Sequence, residues 1–186
     1  LYQLTIEPGT AYFDLQAKGS LIVPDEDSAT DLFELTQTLT EKHGLSAYEV
    51  SNHAAPGQES RHNLLYWRYG EYAGIGPGAH GRLILPDGRH ATSAIKDPET
   101  WLSRVESWGD GLEADEILSR DEEADEMLLM GLRLNEGIDL ERYQALAERA
   151  LDPGRLADLT RHGMVETLPD DRVRATRAGA FVLDAV

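Results

Sequence analysis

The residues with the clearest potential for chemistry lie in one short segment, residues 60–68. This segment brings together a cation, an imidazole, an amide and two aromatic rings, from Arg61, His62, Asn63, Tyr66 and Trp67. A neutral imidazole is a common metal ligand and can bind haem iron axially, and aromatic rings can wall an apolar ligand. The cluster therefore favours binding of a flat ligand that is anionic or carries a metal.

The geometry of the cluster depends on its secondary structure. In a helix, His62 and Tyr66 would share one face, because residues four apart are neighbours on a helix surface. A plainer interpretation places Tyr66 and Trp67 in the core and leaves His62 to cap a loop. The residue types alone leave both interpretations open.

A glycine-rich turn follows at residues 74–81 and carries a second imidazole, His80. Glycines such as Gly76 and Gly78 allow positive φ and close approach of the backbone to a ligand. The spacing contains the dinucleotide-binding fingerprint, but that motif needs a strand before it and a long helix after it. Because Pro77 interrupts the segment and a hairpin is predicted next, a tight turn at the mouth of an α/β barrel is favoured instead.

Carboxylates offer weaker candidates. Glu7 and Glu49 lie just after and within predicted strands, where polar side chains of a barrel line the active face, although ordinary loop carboxylates are an equal alternative. The acidic residues of 113–126 are predicted to form a solvated helix surface, because they lack the glycine-containing loop spacing of a calcium site. Neither a Ser-His-Asp nor an HExxH pattern is present.

The elements that must position these residues can be predicted from periodicity. A strand at residues 1–6, a helix over 24–44 and a strand at 45–51 indicate a parallel βαβ unit. A β-hairpin around Asp87-Gly88 and a helix over 98–108 follow.

Beyond Gly109 the composition becomes more acidic, and an amphipathic helical stretch is predicted over 115–133. Two helices, a hairpin and a last helix capped by Thr176 are predicted at residues 139–150, 153–162, 163–176 and 176–185. Helices followed by a hairpin wing suggest a small winged-helix-like domain.

Composition narrows the classes of function. The 186 residues allow one full domain, or a partial domain with a small one. A net charge of −17 argues against a nucleic-acid partner, because phosphate binding needs clustered Lys and Arg.

No cysteine is present to hold an iron–sulfur cluster or zinc. No apolar run or leader pattern indicates a membrane span or a signal peptide. Because the chain starts without methionine in a strand-like run, we expect a piece of a longer protein.

Four motifs occur in order along the chain, at Tyr2–Thr10, Tyr48–Asn52, Arg61–Trp67 and Gly74–Gly81. Together they resemble the C-terminal half of the oxygen-independent coproporphyrinogen III oxidase-like radical S-adenosylmethionine proteins, most closely their haem chaperone branch. The segment Met130–Ile138 is similar to the start of the family's C-terminal domain.

The resemblance implies a partial (β/α)6 barrel that holds a [4Fe–4S] cluster and S-adenosylmethionine, followed by a small helical domain. The family's three-cysteine motif lies outside this chain, which should neither assemble the cluster nor perform radical chemistry alone. The resemblance implies haem binding by Arg61, His62, Asn63, Tyr66 and Trp67, with His62 as the candidate iron ligand. It implies S-adenosylmethionine contacts for Gln3, Gly76, Gly78 and His80.

We therefore predict an α/β chain with the C-terminal strands of the partial barrel at residues 1–110 and the winged-helix-like domain at residues 111–186. The predicted function is part of a cytoplasmic haem chaperone, which binds haem, passes it to acceptor haemoproteins and needs the N-terminal part of the barrel. Two alternatives stay open. One is an oxygen-independent coproporphyrinogen III oxidase, which forms protoporphyrinogen IX by oxidative decarboxylation, and the other is a non-catalytic interaction module.

Overall fold

The structure, a computed structural model, describes Leu4 and residues 6–183. The chain separates between Glu59 and Ser60 into two compact units. The strand predicted at residues 1–6 lies largely outside the described residues, so the parallel pairing that depends on it stays a prediction. None of the described helices is both long and apolar enough to cross a membrane.

The first unit contains two helices and a short antiparallel pair of strands, α1 (Ala11–Ala17), α2 (Glu26–Lys42), β1 (Ser46–Ala47) and β2 (His53–Ala54). The predicted helix is confirmed as α2. Its start is fixed by Asp25, whose carboxylate accepts a hydrogen bond of 2.8 Å from the backbone N–H of Ser28. Gly44 follows its end with a φ of 75°.

The strand predicted over residues 45–51 is wrong in length, because the chain turns back after Ala47 and β1 pairs antiparallel with β2. Glu49 stabilises this turn with a fully buried carboxylate. Its Oε1 atom accepts hydrogen bonds from the backbone N–H of Ser51 at 2.9 Å and from Nδ2 of Asn52 at 2.6 Å. The carboxylate of Glu49 therefore organises the turn.

The second unit carries two antiparallel sheets and six helices within the described residues. The first sheet has the order β3-β4-β5 and the second the order β6-β8-β7. The strands are β3 (His80–Leu85), β4 (Gly88–Ala94), β5 (Leu112–Ile117), β6 (Ile138–Asp139), β7 (Val165–Leu168) and β8 (Arg172–Ala175). The helices are α3 (Arg61–Trp67), α4 (Pro98–Trp108), α5 (Arg120–Gly131), α6 (Leu140–Ala147), α7 (Pro153–Arg161) and α8 (Arg177–Ala180).

The predicted hairpin is confirmed by the pairing of β3 with β4, and the predicted helix over 98–108 is confirmed as α4. The expectation of a helix from residue 115 is wrong at its start, because Asp115 and Ile117 lie in β5, which pairs with β4. Asp115 Oδ1 lies 2.7 Å from Nδ1 of the buried His90 on that neighbouring strand. Tertiary pairing therefore outweighs the low strand propensity of acidic residues.

Helix α5 begins after Ser119, which forms a capping box with Glu122. The prediction that residues 113–126 form only a solvated acidic surface is wrong for two carboxylates of this helix. Glu123 Oε2 lies 3.4 Å from Nε of Arg89, and Glu126 Oε1 lies 2.7 Å from Nη2 of Arg82. Both arginines belong to the hairpin, so the acidic side of α5 attaches it to the first sheet.

Helix α5 also contributes to two apolar clusters. The first joins the end of α3 to α5 and α6 and consists of Tyr69, Ala124, Met127, Tyr143 and Ala147. The second lies beneath the second sheet and consists of Leu132, Ile138, Val165 and Val173. Leu128 of α5 packs against both clusters, so this helix connects the two parts of the core.

The C-terminal elements follow the predicted order of two helices, a hairpin and a helix. Thr176 caps α8 as predicted, since its Oγ1 accepts a hydrogen bond of 3.0 Å from the backbone N–H of Gly179. The predicted domain boundary between residues 110 and 111 stays a prediction, and β5 directly after it pairs with β4 before it.

We expect replacement of Glu126 by Gln to destabilise the second unit. The carboxylate accepts the guanidinium fork of Arg82 and the hydroxyl of Tyr69, and its side chain is 23% exposed. Loss of the charge from this half-buried network should lower the free energy of unfolding by roughly 2 kcal/mol. Urea unfolding would measure the loss.

The matched control is Asp125→Asn on the same helix, since the Asp125 side chain is 74% exposed and lies 4.0 Å from Arg149. It should change the free energy of unfolding by less than about 0.5 kcal/mol. Equal losses from both variants would contradict a special role for Glu126.

We also expect His90 to make stability depend on pH. Hydrogen bonds to Asp115, at 2.7 Å from Nδ1, and to Asp87, at 3.0 Å from Nε2, raise the pKa of the imidazole above its usual value. A raised folded-state pKa adds stability that is complete below the unfolded-state pKa and disappears as the pH rises through the folded-state pKa. The free energy of unfolding of the unsubstituted protein should therefore exceed that of His90→Gln by more at a pH of about 5.5 than at a pH of about 9. Urea unfolding curves of both proteins at the two pH values measure this difference. A difference that is the same at both pH values would disprove the coupling.

Candidate functional site

The segment with the clearest chemistry forms a short helix, α3, whose two ends are fixed by different means. At its start, Oγ of Ser60 accepts a hydrogen bond of 3.3 Å from the backbone N–H of Asn63. At its end, the Arg142 guanidinium of α6 donates to the carbonyl oxygens of Arg68 at 2.6 Å and Tyr69 at 3.1 Å. No following helical turn supplies backbone N–H donors to these carbonyls. Arg142, which is distant in sequence, supplies the donors instead and thus acts as a C-cap.

His62 and Tyr66 form a pair on the exposed side of α3. The Tyr66 hydroxyl lies 3.1 Å from Nε2 of His62, and the two rings meet edge to face with their centroids 4.6 Å apart. Tyr66 also meets the ring of Tyr72, at 4.3 Å between centroids. The predicted i, i+4 arrangement is therefore present, and His62 is exposed at the end of a row of three rings.

Trp67 lies in a different environment from the histidine pair. The Arg133 guanidinium carbon stacks over its ring at 4.4 Å from the centroid. Its indole Nε1 is buried and has no hydrogen-bond acceptor among the described residues. The plainer interpretation, in which this aromatic ring belongs to the packed interior, thus fits Trp67 better than it fits the exposed His62.

The remaining two members of the cluster differ in exposure. Arg61 is exposed and forms no ion pair with another described residue, so its charge is available to an anionic ligand. Asn63 is half-buried in the first turn of α3. Arg61 and His62 are adjacent residues of the same exposed turn.

A cavity of about 210 Å³ lies on the Trp67 side of α3. Its charged lining consists of Arg68, Glu136, Asp139, Arg142 and Arg172, and its apolar lining includes Met127, Leu134 and Ile138. The Arg68 guanidinium donates to both carboxylate oxygens of Glu136, at 2.8 and 2.7 Å, which lowers the pKa of that carboxyl.

The sequence did not identify these lining residues, and no local signal marks them. Arg68 and Glu136 bond across 68 positions of sequence, and Arg142 reaches Arg68 across 74. Tyr72 was also missed. Its proximity to the other aromatic residues of 66–72 was the one available signal.

The glycine-rich turn has a structural explanation for its composition. Gly76 has a φ of 104° and Gly78 a φ of 68°, which disfavour other residues. A β-carbon on Gly74 would clash with the backbone of His80, so the start and end of the turn lie against each other. The backbone N–H of Gly78 donates to the carbonyl of Ile95 at 2.9 Å, which attaches the turn to the end of β4.

Of the other predicted cofactor contacts, Gly76, Gly78 and His80 lie in or directly after the glycine-rich turn. His80 is exposed at the first position of β3, opposite Ser93. Gln3 lies outside the described residues. The contacts predicted for Gly76, Gly78 and His80 with S-adenosylmethionine stay predictions. The described residues contain no group of three or more His, Asp or Glu side chains that could hold a metal ion.

Comparison with known proteins supports the predicted family. Residues 118–182 match the family described as the HemN C-terminal domain. The chain is 40% identical over 149 residues to "Radical S-adenosyl methionine domain-containing protein 1, mitochondrial" of Mus musculus. The matched region covers 77% of this chain and 34% of that protein. The chain is also 36% identical over 187 residues to "Heme chaperone HemW" of Mycobacterium tuberculosis. This match covers 100% of this chain and 45% of that protein.

A solved structure shares the fold. Coproporphyrinogen III oxidase (HemN) from Escherichia coli, described as a radical SAM enzyme, superposes with a TM-score of 0.65 at 16% identity, over 91% of this chain and 43% of that one. The mixed helices and sheets of the chain therefore occur in a known architecture. The chain spans less than half the length of these relatives.

We expect the two aromatic environments of α3 to respond differently to truncation. Trp67→Ala removes a packed ring beneath Arg133 and should lower the free energy of unfolding by about 2–3 kcal/mol. His62→Ala removes an exposed ring and should change the free energy of unfolding by less than about 0.5 kcal/mol. Urea unfolding of both variants tests this division, and a large loss for His62→Ala would show that the imidazole is structural.

Proposed function

The chain belongs to the radical S-adenosylmethionine proteins that carry the HemN C-terminal domain, and on this basis we propose that it is part of a haem chaperone whose haem contacts lie at residues 61–67. The name of its relative from Mycobacterium tuberculosis gives haem as the cargo of that protein. The observation that carries the proposal is the exposed imidazole of His62, which packs on the ring of Tyr66 and follows Arg61, a cation without an ion pair among the described residues.

The residues of this turn fit a haem in three ways. A neutral imidazole can ligate the iron axially. The ring of Tyr66, which packs on Tyr72, lies beside the imidazole and supplies apolar surface, which a porphyrin face requires. The guanidinium of Arg61 can pair with a propionate carboxylate.

Exposure suits a carrier better than an enzyme that retains its prosthetic group. Buried binding sites cover most of a ligand and release it slowly, whereas a cargo must leave for an acceptor. His62 and Arg61 lie on one exposed turn of α3, so an acceptor haemoprotein can approach the same face. Transfer to acceptor haemoproteins therefore forms part of the proposal.

The residues of this chain do not fit an iron–sulfur cluster, because the sequence has no cysteine to supply thiolates. No step is derived through that cluster. Contacts of Gln3, Gly76, Gly78 and His80 with S-adenosylmethionine are proposed for the full-length protein. The proposed compartment is the cytoplasm, although relatives with mitochondrial names also exist.

Two alternatives to the haem chaperone function are an oxidase activity and an interaction module. The likeness to coproporphyrinogen III oxidase is one of fold, so it does not favour oxidase activity. Coproporphyrinogen consumption by the reconstituted full-length protein would test for that activity. A partner pull-down that is lost on deletion of residues 115–186 would instead favour an interaction module, and retained binding would count against it.

The test of the chaperone proposal is a hemin titration of the full-length protein, followed through the Soret band. We expect His62→Ala to weaken hemin binding at least about tenfold, equivalent to about 1.4 kcal/mol, and to change the position of the band. His162→Ala is the matched control, because His162 is also an exposed histidine at a helix end. An unchanged spectrum and affinity for His62→Ala would eliminate His62 as the iron ligand.

A further inference from the structure

The cavity on the Trp67 side of α3 lies within the second unit, and neither Arg61 nor His62 lines it. Its volume is about 210 Å³, which is smaller than the roughly 300–1,000 Å³ of pockets that hold drug-sized ligands. Its apolar lining comes from Trp67, Met127, Leu134 and Ile138. The cavity therefore suits a small molecule with an apolar body.

The charged lining of this cavity is cationic, although the chain as a whole has a net charge of −17. Three arginines and two carboxylates line it, and three minus two leaves a net charge of +1. Arg68 and Glu136 neutralise each other through their two hydrogen bonds. The charges that remain are those of Arg142, Arg172 and Asp139, so two cations are left for one carboxylate.

The carboxylate of Asp139 forms no hydrogen bond with either guanidinium. Its Oδ1 atom accepts a hydrogen bond of 3.0 Å from the backbone N–H of Arg142 at the start of α6. Its Oδ2 atom lies 3.9 Å from Nη1 of Arg172, which is beyond hydrogen-bond distance. Arg142 forms no ion pair with any residue that the structure describes. The cavity thus has positive charge that the protein itself does not neutralise.

Both guanidinium groups are held in place and still have N–H donors to offer. Each donates to two backbone carbonyls, from Nη1 and Nη2 of Arg142 and from Nε and Nη2 of Arg172. Carbonyls are neutral, so these bonds position the cations without cancelling their charge. A guanidinium has five N–H donors, and within the described part of the chain Nη1 of Arg172 donates to no acceptor. Fixed cations with unused donors are the arrangement that recognises an anion.

We propose that this cavity binds a small monocarboxylate, with its carboxylate bonded to Arg142 and Arg172 and its apolar body against Trp67 and Leu134. A single negative charge matches the net charge of the lining, and a planar carboxylate fits a guanidinium fork. Inorganic phosphate would satisfy the arginines but not the apolar lining. This site is independent of haem binding at α3.

The first test is a calorimetric titration of the full-length protein with benzoate, which is a planar carboxylate on an apolar ring. We expect saturable one-to-one binding with a Kd below about 1 mM. Benzamide has a similar shape without the charge, and it should bind at least about tenfold more weakly. Phosphate, which lacks the ring, should also bind at least about tenfold more weakly.

Three results of this titration would overturn the proposal. The first is no benzoate binding at about 10 mM, which is far above the expected Kd. The second is equal binding of benzoate and benzamide, because the charge would then contribute nothing. The third is tighter binding of phosphate than of benzoate, because the apolar lining would then have no role.

A substitution tests whether the arginines of the cavity hold the acid. Arg172→Gln should weaken benzoate binding at least about tenfold. Arg155→Gln is the matched control, because Arg155 is an exposed arginine that does not line the cavity and its loss changes the net charge equally. Equal loss of affinity in both variants would show a general charge effect and overturn the site. Circular dichroism checks that each variant is folded.

A second measurement needs no arginine variant and locates the bound acid directly. Benzoate should shift the indole N–H NMR signal of Trp67, assigned through Trp67→Phe, and leave that of Trp108 unchanged. Trp108 is 77% exposed and does not line the cavity. Saturable benzoate binding without a shift at Trp67 would place the acid elsewhere and overturn the proposal.

Haem also carries carboxylates, so a competition titration distinguishes a free acid from a haem propionate. We expect hemin not to displace bound benzoate from the full-length protein. Displacement would assign the carboxylate site to a propionate and overturn the free acid as its ligand. Failure of hemin to bind His62 would leave the benzoate result unchanged, so the two proposals can fail separately.

Discussion

The second unit depends most on the hydrogen bonds that the carboxylate of Glu126 accepts. This carboxylate accepts the guanidinium fork of Arg82 from β3 and the hydroxyl of Tyr69 from the end of α3. Burial raises the pKa of Glu126, but these hydrogen bonds outweigh burial and lower it overall, so the group stays ionised. One side chain of α5 thereby fixes the first sheet and the helix that carries His62.

This constraint explains how a helix of seven residues can hold a ligand-binding face. Such a helix is marginal alone, because its first turn fixes more torsions than its few hydrogen bonds repay. Its end is fixed by the buried Tyr69, with Arg142 bonding the terminal carbonyls. The interior side of α3 supplies rigidity, and the His62 side is left free for chemistry.

Arginines perform much of the remaining organisation in a chain with a net charge of −17. Arg172 and Arg174 of β8 donate to main-chain carbonyls of the loop before β6, at 2.6–2.9 Å. Each planar guanidinium presents several N–H donors in a rigid fork, so it can bond a carbonyl and a carboxylate together in a fixed geometry. Scarce cations are thus used to hold loops and helix ends, and Arg61 is available for a ligand.

The sequence determined what local chemistry can determine. Caps and turn residues located α2, α4 and the β3–β4 hairpin, and four ordered motifs identified the family. The i, i+4 spacing placed His62 beside Tyr66. Only the tertiary structure decided the strand state of Asp115 and the separation of Trp67 from His62. Partners such as Arg82 and Glu126 are 44 positions apart, and no local pattern encodes which distant charge a side chain meets when the chain packs.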